Sequence, residues 1–180
     1  MNIFDKDFKE ILGSQVVSII GGIIAGIFLA SFQNKLILIP GILILIPGFL
    51  EMRGNISGSL ASRISSGLFL GIIKARNPDK KIINGNVIAS FLLAIFVSFC
   101  LGLFAFLFGY ILLNIYFPKI ILIAVIAGII ANIIEIIITL VVTFYLFRKG
   151  HDPNNVMGPF LTSTGDISSI IALLIAMVIV

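Results

Sequence analysis

Charge is what this chain of 180 residues has least of: Asp, Glu, Lys and Arg make up 11% of it, against 59% hydrophobic residues and a mean hydropathy of +1.23. An ordinary soluble domain carries about 25% charged residues, because its surface has to face water. A 19.5 kDa globule with so few could not cover itself, and a cytosolic enzyme is excluded. There is one cysteine, Cys100, inside an apolar run, so the chain has neither a disulfide framework nor a cysteine metal cluster. The one histidine, His151, stands in a polar loop and reads as a solvated neighbour of a helix cap rather than a metal ligand. The net charge of +4 does not point to nucleic acid, since the basic residues flank the apolar runs and act there as topology signals. The first ten residues mix charges and lack the basic start and cleavage site of a signal peptide.

What the chain has instead is long apolar runs. A bilayer span takes about 20 such residues. Residues 13–32, 87–113, 120–147 and 159–180 each supply one. Residues 36–73 are too long for a single crossing, since 38 helical residues would reach about 57 Å. They are interrupted by Pro40-Gly41, Pro47-Gly48 and Gly54-Asn55 and read as one discontinuous crossing, its later part covering residues 57–73. The expectation is an all-α membrane protein with five transmembrane helices, the second broken, and polar loops at 74–81 and 148–157. Residues 1–12 form a short cytoplasmic segment and 13–180 the membrane domain. With the N-terminus inside, the cytoplasmic ends carry Lys6, Lys9, Lys74, Arg76, Lys80, Lys81, Arg148 and Lys149, and the outer ends only Lys35 and Lys119. That bias orients the chain with its C-terminus outside.

Two runs carry stripes of small residues: Ser14, Ser18, Gly22, Gly26 and Ala30 in the first, Ser90, Ala94, Ser98 and Gly102 in the third. Such stripes let helix backbones approach closely in lipid. There is no internal repeat of domain size, so a pore on a symmetry axis requires a second chain.

Polar groups at membrane depth are costly unless paired or hydrated, so each cluster is a candidate site. The first is Glu51, Arg53, Gly54, Asn55 and the serines up to Arg63, where irregular backbone would line a water-filled cavity or else form a membrane-surface turn with Glu51 and Arg53 paired at the headgroups. The second opens the last run: Asp152 before Pro153 has the pattern of an N-cap followed by proline at the first helical position. Pro159 can start a helix in the same way, and Thr162, Asp166 and Ser169 follow at i, i+4 and i+7 on one face. Asp166, the only formal charge in that span, must be protonated or face a cation. The third is Asn132, Glu135 and Thr139, in which Glu135 reads as a second cation stop, a proton acceptor or a structural partner for a neighbouring helix. Carboxylate, amide and hydroxyl oxygens are hard ligands that suit magnesium or calcium.

Met52-Arg-Gly-Asn55 resembles the Gly-Met-Gly-Gly-Asn segment of the MgtE superfamily of magnesium channels and transporters, with Arg53 in place of a glycine. Gly54-Asn55 followed by Leu60-Ala-Ser-Arg63 is closer to the eukaryotic solute-carrier magnesium transporters, and residues 152–166 are similar to the family's Asp-Pro…Gly-Pro…Thr-Thr…Asp pattern. The resemblance implies a parallel homodimer in the cell membrane, with an ion path at the subunit interface lined by the second and fifth helices. It also implies that Asp166 binds Mg²⁺ centrally (Ca²⁺ or Mn²⁺ being possible), with Asn55 at the pore. It implies a single five-helix repeat, and the dozen residues before the membrane part leave no room there for the family's cytosolic magnesium sensor. A positive charge at Arg53 on the ion path would oppose cations unless Glu51 neutralises it.

The function expected is therefore a divalent-cation channel or transporter, with metal-binding residues Asp166, Asn55 and Thr162. Ser169, Gly54, Glu51, Glu135, Asn132 and Asp152 are pore or auxiliary positions. A proton- or sodium-coupled exchanger and a non-transporting scaffold subunit are the alternatives. A membrane-embedded enzyme would need a nucleophile–base pair or a multi-aspartate site, and the sequence offers neither.

Overall fold

The computed structural model describes residues 5–180, and among these there is no strand. The five helices are α1 (Lys6–Leu36), α2 (Ile42–Phe69), α3 (Lys80–Leu113), α4 (Lys119–Arg148) and α5 (Pro153–Ile179). Helices α1, α3, α4 and α5 are long and apolar enough to cross a membrane. Helix α2 carries Glu51, Arg53 and Arg63 along its length, and half of its 28 residues are buried against α3, α4 and α5, which makes it the centre of the bundle. Helix α1 packs mainly on α5 and presents Val16, Ile19, Ile20, Ile23 and Ile27 outward, as a helix against lipid should.

Of the three interruptions expected in the second apolar region, the one at Pro40-Gly41 occurs and those at Pro47-Gly48 and Gly54-Asn55 do not. The chain turns before α2, at Pro40 and Gly41, where Gly41 adopts φ +80°, a conformation open to glycine. From there α2 is continuous. Pro47 sits inside it and forfeits one backbone hydrogen bond without interrupting the helix. Gly54 is helical, and its lack of a side chain serves packing: a Cβ there would lie 3.6 Å from Thr162 Oγ1, and one on Gly165 would lie 3.2 Å from Arg53 Cβ. The glycines mark where α2 and α5 cross.

Asp152 caps α5 as its sequence suggests, its side chain accepting from the Asn154 N–H at 2.8 Å, with Pro153 at the first helical position. The helix then runs straight through Pro159, which is interior and starts nothing. Helix α3 likewise begins earlier than its apolar run, because Asp79 accepts from the Lys81 N–H at 2.8 Å. Residues 1–4 of the expected cytoplasmic segment lie outside the described residues, and residues 6–12 are the first turns of α1. Removing the α5 cap with Asp152→Ala is expected to cost about 1 kcal/mol. Thermal unfolding would register this as a lower midpoint with its dependence on added divalent ions unchanged.

The small-residue stripe of α3 is buried throughout: Ser90, Ala94, Ser98 and Gly102 all face the core. That of α1 is buried only in part. Ser14 and Ser18 meet α5, but the contact continues through Gly21 and Ala25, and Gly22 and Gly26 have nothing near them. A strict spacing of four advances about 40° around the helix at each step, so it drifts off the contact face. The face follows alternating steps of four and three.

Candidate functional site

An open cleft of about 450 Å³ runs between α2 and α5, lined by Pro47, Leu50, Glu51, Gly54, Asn55, Gly158, Thr162 and Asp166. The two sequence segments singled out independently therefore meet. Asn55 is residue 14 of the 28 in α2, and Asp166 residue 14 of the 27 in α5, so the cleft lies halfway along both helices. Asp166 is about 20 Å from the start of α5, deeper than a helix beginning at Pro159 would place it.

The polar groups are arranged with oxygen available. Asn55 Nδ2 donates to Glu51 Oε1 at 3.2 Å, one turn back on α2, which engages the amide's donor and leaves Asn55 Oδ1 as an acceptor. Thr162 Oγ1 donates to the Gly158 carbonyl at 3.1 Å and keeps its lone pairs. Glu51 and Asp166 line the same cleft, where two ionised carboxylates repel each other. Two carboxylates, one amide oxygen and one hydroxyl facing one cleft form a hard-oxygen set, and a divalent cation there would cancel that repulsion. Among the described residues no three of His, Cys, Asp and Glu converge, so any metal here draws on neutral oxygens and water for the rest of its shell.

Several expected residues stand elsewhere. Arg53 does not line the cleft: its side chain is fully buried and turned toward α4, where Nη1 donates to the Gly128 carbonyl at 3.3 Å. Glu51 consequently has no part in neutralising it. Ser169 shares the helical phase of Thr162 and Asp166 but is buried beyond the end of the cleft. Asn132 and Glu135 lie in the bundle interior on α4, and Asp152 is a helix cap at the polar end. His151 Nδ1 lies 2.8 Å from Glu10 Oε1, which ties the loop before α5 to α1. Sequence reasoning passed over Gly158 in the cleft lining, and Thr164 and Ser168 as partners of Glu135. The i, i+4 spacing of Thr164 and Ser168 was the signal available for that last pair.

Long apolar helices around an acidic, oxygen-lined cleft at mid-helix define a multi-pass membrane protein with a candidate site for a hard cation. The chain belongs to the MgtE family, described as a divalent cation transporter, which matches residues 46–176. That span takes in both polar segments and most of α2 to α5, and the family is one of transporters rather than enzymes. No curated protein and no solved structure matches the chain.

Proposed function

We propose that the chain works as a parallel homodimer in the cell membrane, passing divalent cations, magnesium above all, along a path between the two copies. The N-terminus is inside, the C-terminus outside, and α2 is the fifth crossing. The observation that carries this reading is the position of the cleft: acidic, halfway along two helices, and open on the flank of the bundle. Hydrocarbon cannot solvate Asp166, Glu51 and Asn55, so something polar has to cover them. A second copy related by a two-fold axis brings the same oxygens to the opposite wall and encloses a wet passage.

Mg²⁺ dehydrates reluctantly and keeps several waters, so the two Asp166 carboxylates hold it largely through its hydration shell, with Asn55 Oδ1 and Thr162 Oγ1 completing the wall. Calcium and manganese accept the same oxygens, and the two family-like segments are what favour magnesium. A negative interior drives entry by about 2.3 kcal/mol per charge per 100 mV. A scaffold subunit would gain nothing from carboxylates at this depth.

The experiment uses Cys100→Ala protein carrying Thr162→Cys, reconstituted in liposomes. Oxidation is expected to link two chains through Thr162→Cys and to block Mg²⁺ uptake, with reduction restoring it. Ile137→Cys, on the outer face of α4, should give neither effect. Absence of a link at 162, or uptake indifferent to it, would remove the interfacial path.

A further inference from the structure

Glu135 is on α4, fully buried, behind the helix that carries Asp166. Its Oε1 accepts from Ser168 Oγ at 3.0 Å and its Oε2 from Thr164 Oγ1 at 3.4 Å. Thr164 and Ser168 stand two residues before and two after Asp166, on the opposite face of α5, about 200° around. Asp166 thus faces the cleft at the front while Glu135 grips the same turn from behind.

Helix α4 holds α2 in a parallel manner. Gly128, Asn132, Glu135 and Thr139 form one stripe on it, at steps of four, three and four. Arg53 reaches that stripe at the Gly128 carbonyl, and its backbone leads directly into Gly54 and Asn55 of the cleft. The guanidinium lies 5.7 Å from the Phe49 ring, and Glu135 is buried on the same stripe of α4 that it reaches, with no direct ion pair between them among the described residues. Among the described residues, Arg53 Nε and Nη2 and both amide atoms of Asn132 have no hydrogen-bond partner, so the space around them is polar and suited to bridging water.

We propose that Glu135 and Arg53 are positioning residues for the cation cleft. Glu135 holds the Asp166 turn of α5 through Ser168 and Thr164, and Arg53 holds α2 to the same helix through the Gly128 carbonyl, so that α4 fixes Asp166 and Asn55 relative to each other while the buried carboxylate keeps the arginine's charge from acting on the ion. The proposal rests on the cleft being the cation site. A buried charge stripped of its counter-charge is strongly unfavourable. An uncompensated Arg53, one residue from Gly54 of the cleft, would also oppose any cation bound there.

The test uses the purified full chain and Mn²⁺ as probe, with binding followed by calorimetry and folding by thermal unfolding. Glu135→Gln keeps the side-chain shape and an acceptor for Ser168 but leaves Arg53 uncompensated. It should weaken Mn²⁺ binding by about tenfold. Adding Arg53→Met to that variant removes the uncompensated charge and should recover part of the lost affinity, the remainder staying lost because α2 no longer holds the Gly128 carbonyl. Residues with a purely structural role would lower the unfolding midpoint and leave the affinity of folded protein unmoved, and that result overturns the proposal. Should Glu135→Gln not fold, Thr164→Val/Ser168→Ala releases the grip while keeping both charges. Weakened Mn²⁺ binding is then expected, and unchanged affinity overturns the proposal. Asp166→Asn separates the two readings. Mn²⁺ binding that survives it removes the cleft as the site, whereas binding lost there but intact in Glu135→Gln removes only the positioning role.

Discussion

Asp166→Asn is expected to abolish divalent-cation uptake into liposomes and the stabilisation that Mg²⁺ gives the purified protein, while the chain still folds. The substitution is nearly isosteric and Asp166 is only half-buried, so packing is undisturbed. What is lost is one of the two carboxylates in the cleft, and in a dimer both copies lose it. An ion at 100 times its Kd stabilises the folded state by about 2.7 kcal/mol, and this increment should vanish from thermal unfolding in Mg²⁺. Asn55→Ala and Thr162→Val remove one neutral oxygen each and should cost about 1 kcal/mol of ion binding, so a graded order is expected with Asp166 at the top. Uptake at the original rate in Asp166→Asn would mean the cleft is not the site.

The second large effect is steric. A Cβ on Gly128 would stand 1.9 Å from Ser98 Oγ and 2.7 Å from Ser98 Cβ, at the point where α3 and α4 touch. Rotating the serine moves Oγ away but not Cβ, so Gly128→Ala forces the helices apart. Overpacking of this kind costs about 1–3 kcal/mol, and here it also shifts the carbonyl that accepts from Arg53. Exchanging the sizes, with Ser98→Gly beside Gly128→Ala, should recover most of the loss. Unfolding midpoints of the two singles and the double provide the check, and a double no better than Gly128→Ala would mean that the clash lies elsewhere.

The helices were legible because lipid demands uninterrupted apolar length, and the ends of α3 and α5 were set by Asp79 and Asp152 accepting hydrogen bonds from the first turn. The continuity of α2 was not. Pro47, Gly48 and Gly54 have the composition of a break, and only the neighbours of each residue reveal that the glycines admit Leu101 and Thr162 at close range. The cleft was legible in its chemistry, since Asn55, Thr162 and Asp166 were named from residue type and depth and do come together. The direction of Arg53 was not, because a step of one or two residues around the helix separates a side chain in the cleft from one sunk in the core, and helical phase relative to unseen partners decides between them. The same limit applies to Ser169, whose phase matches Asp166 but whose surroundings close over it.

The attachment of α1 has a mechanical consequence. At 31 residues α1 is about 46 Å long, well beyond the roughly 30 Å of hydrocarbon in a bilayer. It must lean or stand proud of the surface to fit, and its lean follows bilayer thickness. Ser14 donates to the Asn155 carbonyl and Ser163 to Ser18, fastening α1 to the first half of α5. A thinner or thicker bilayer should therefore pull on the helix that bears Asp166 and shift the wall of the cleft.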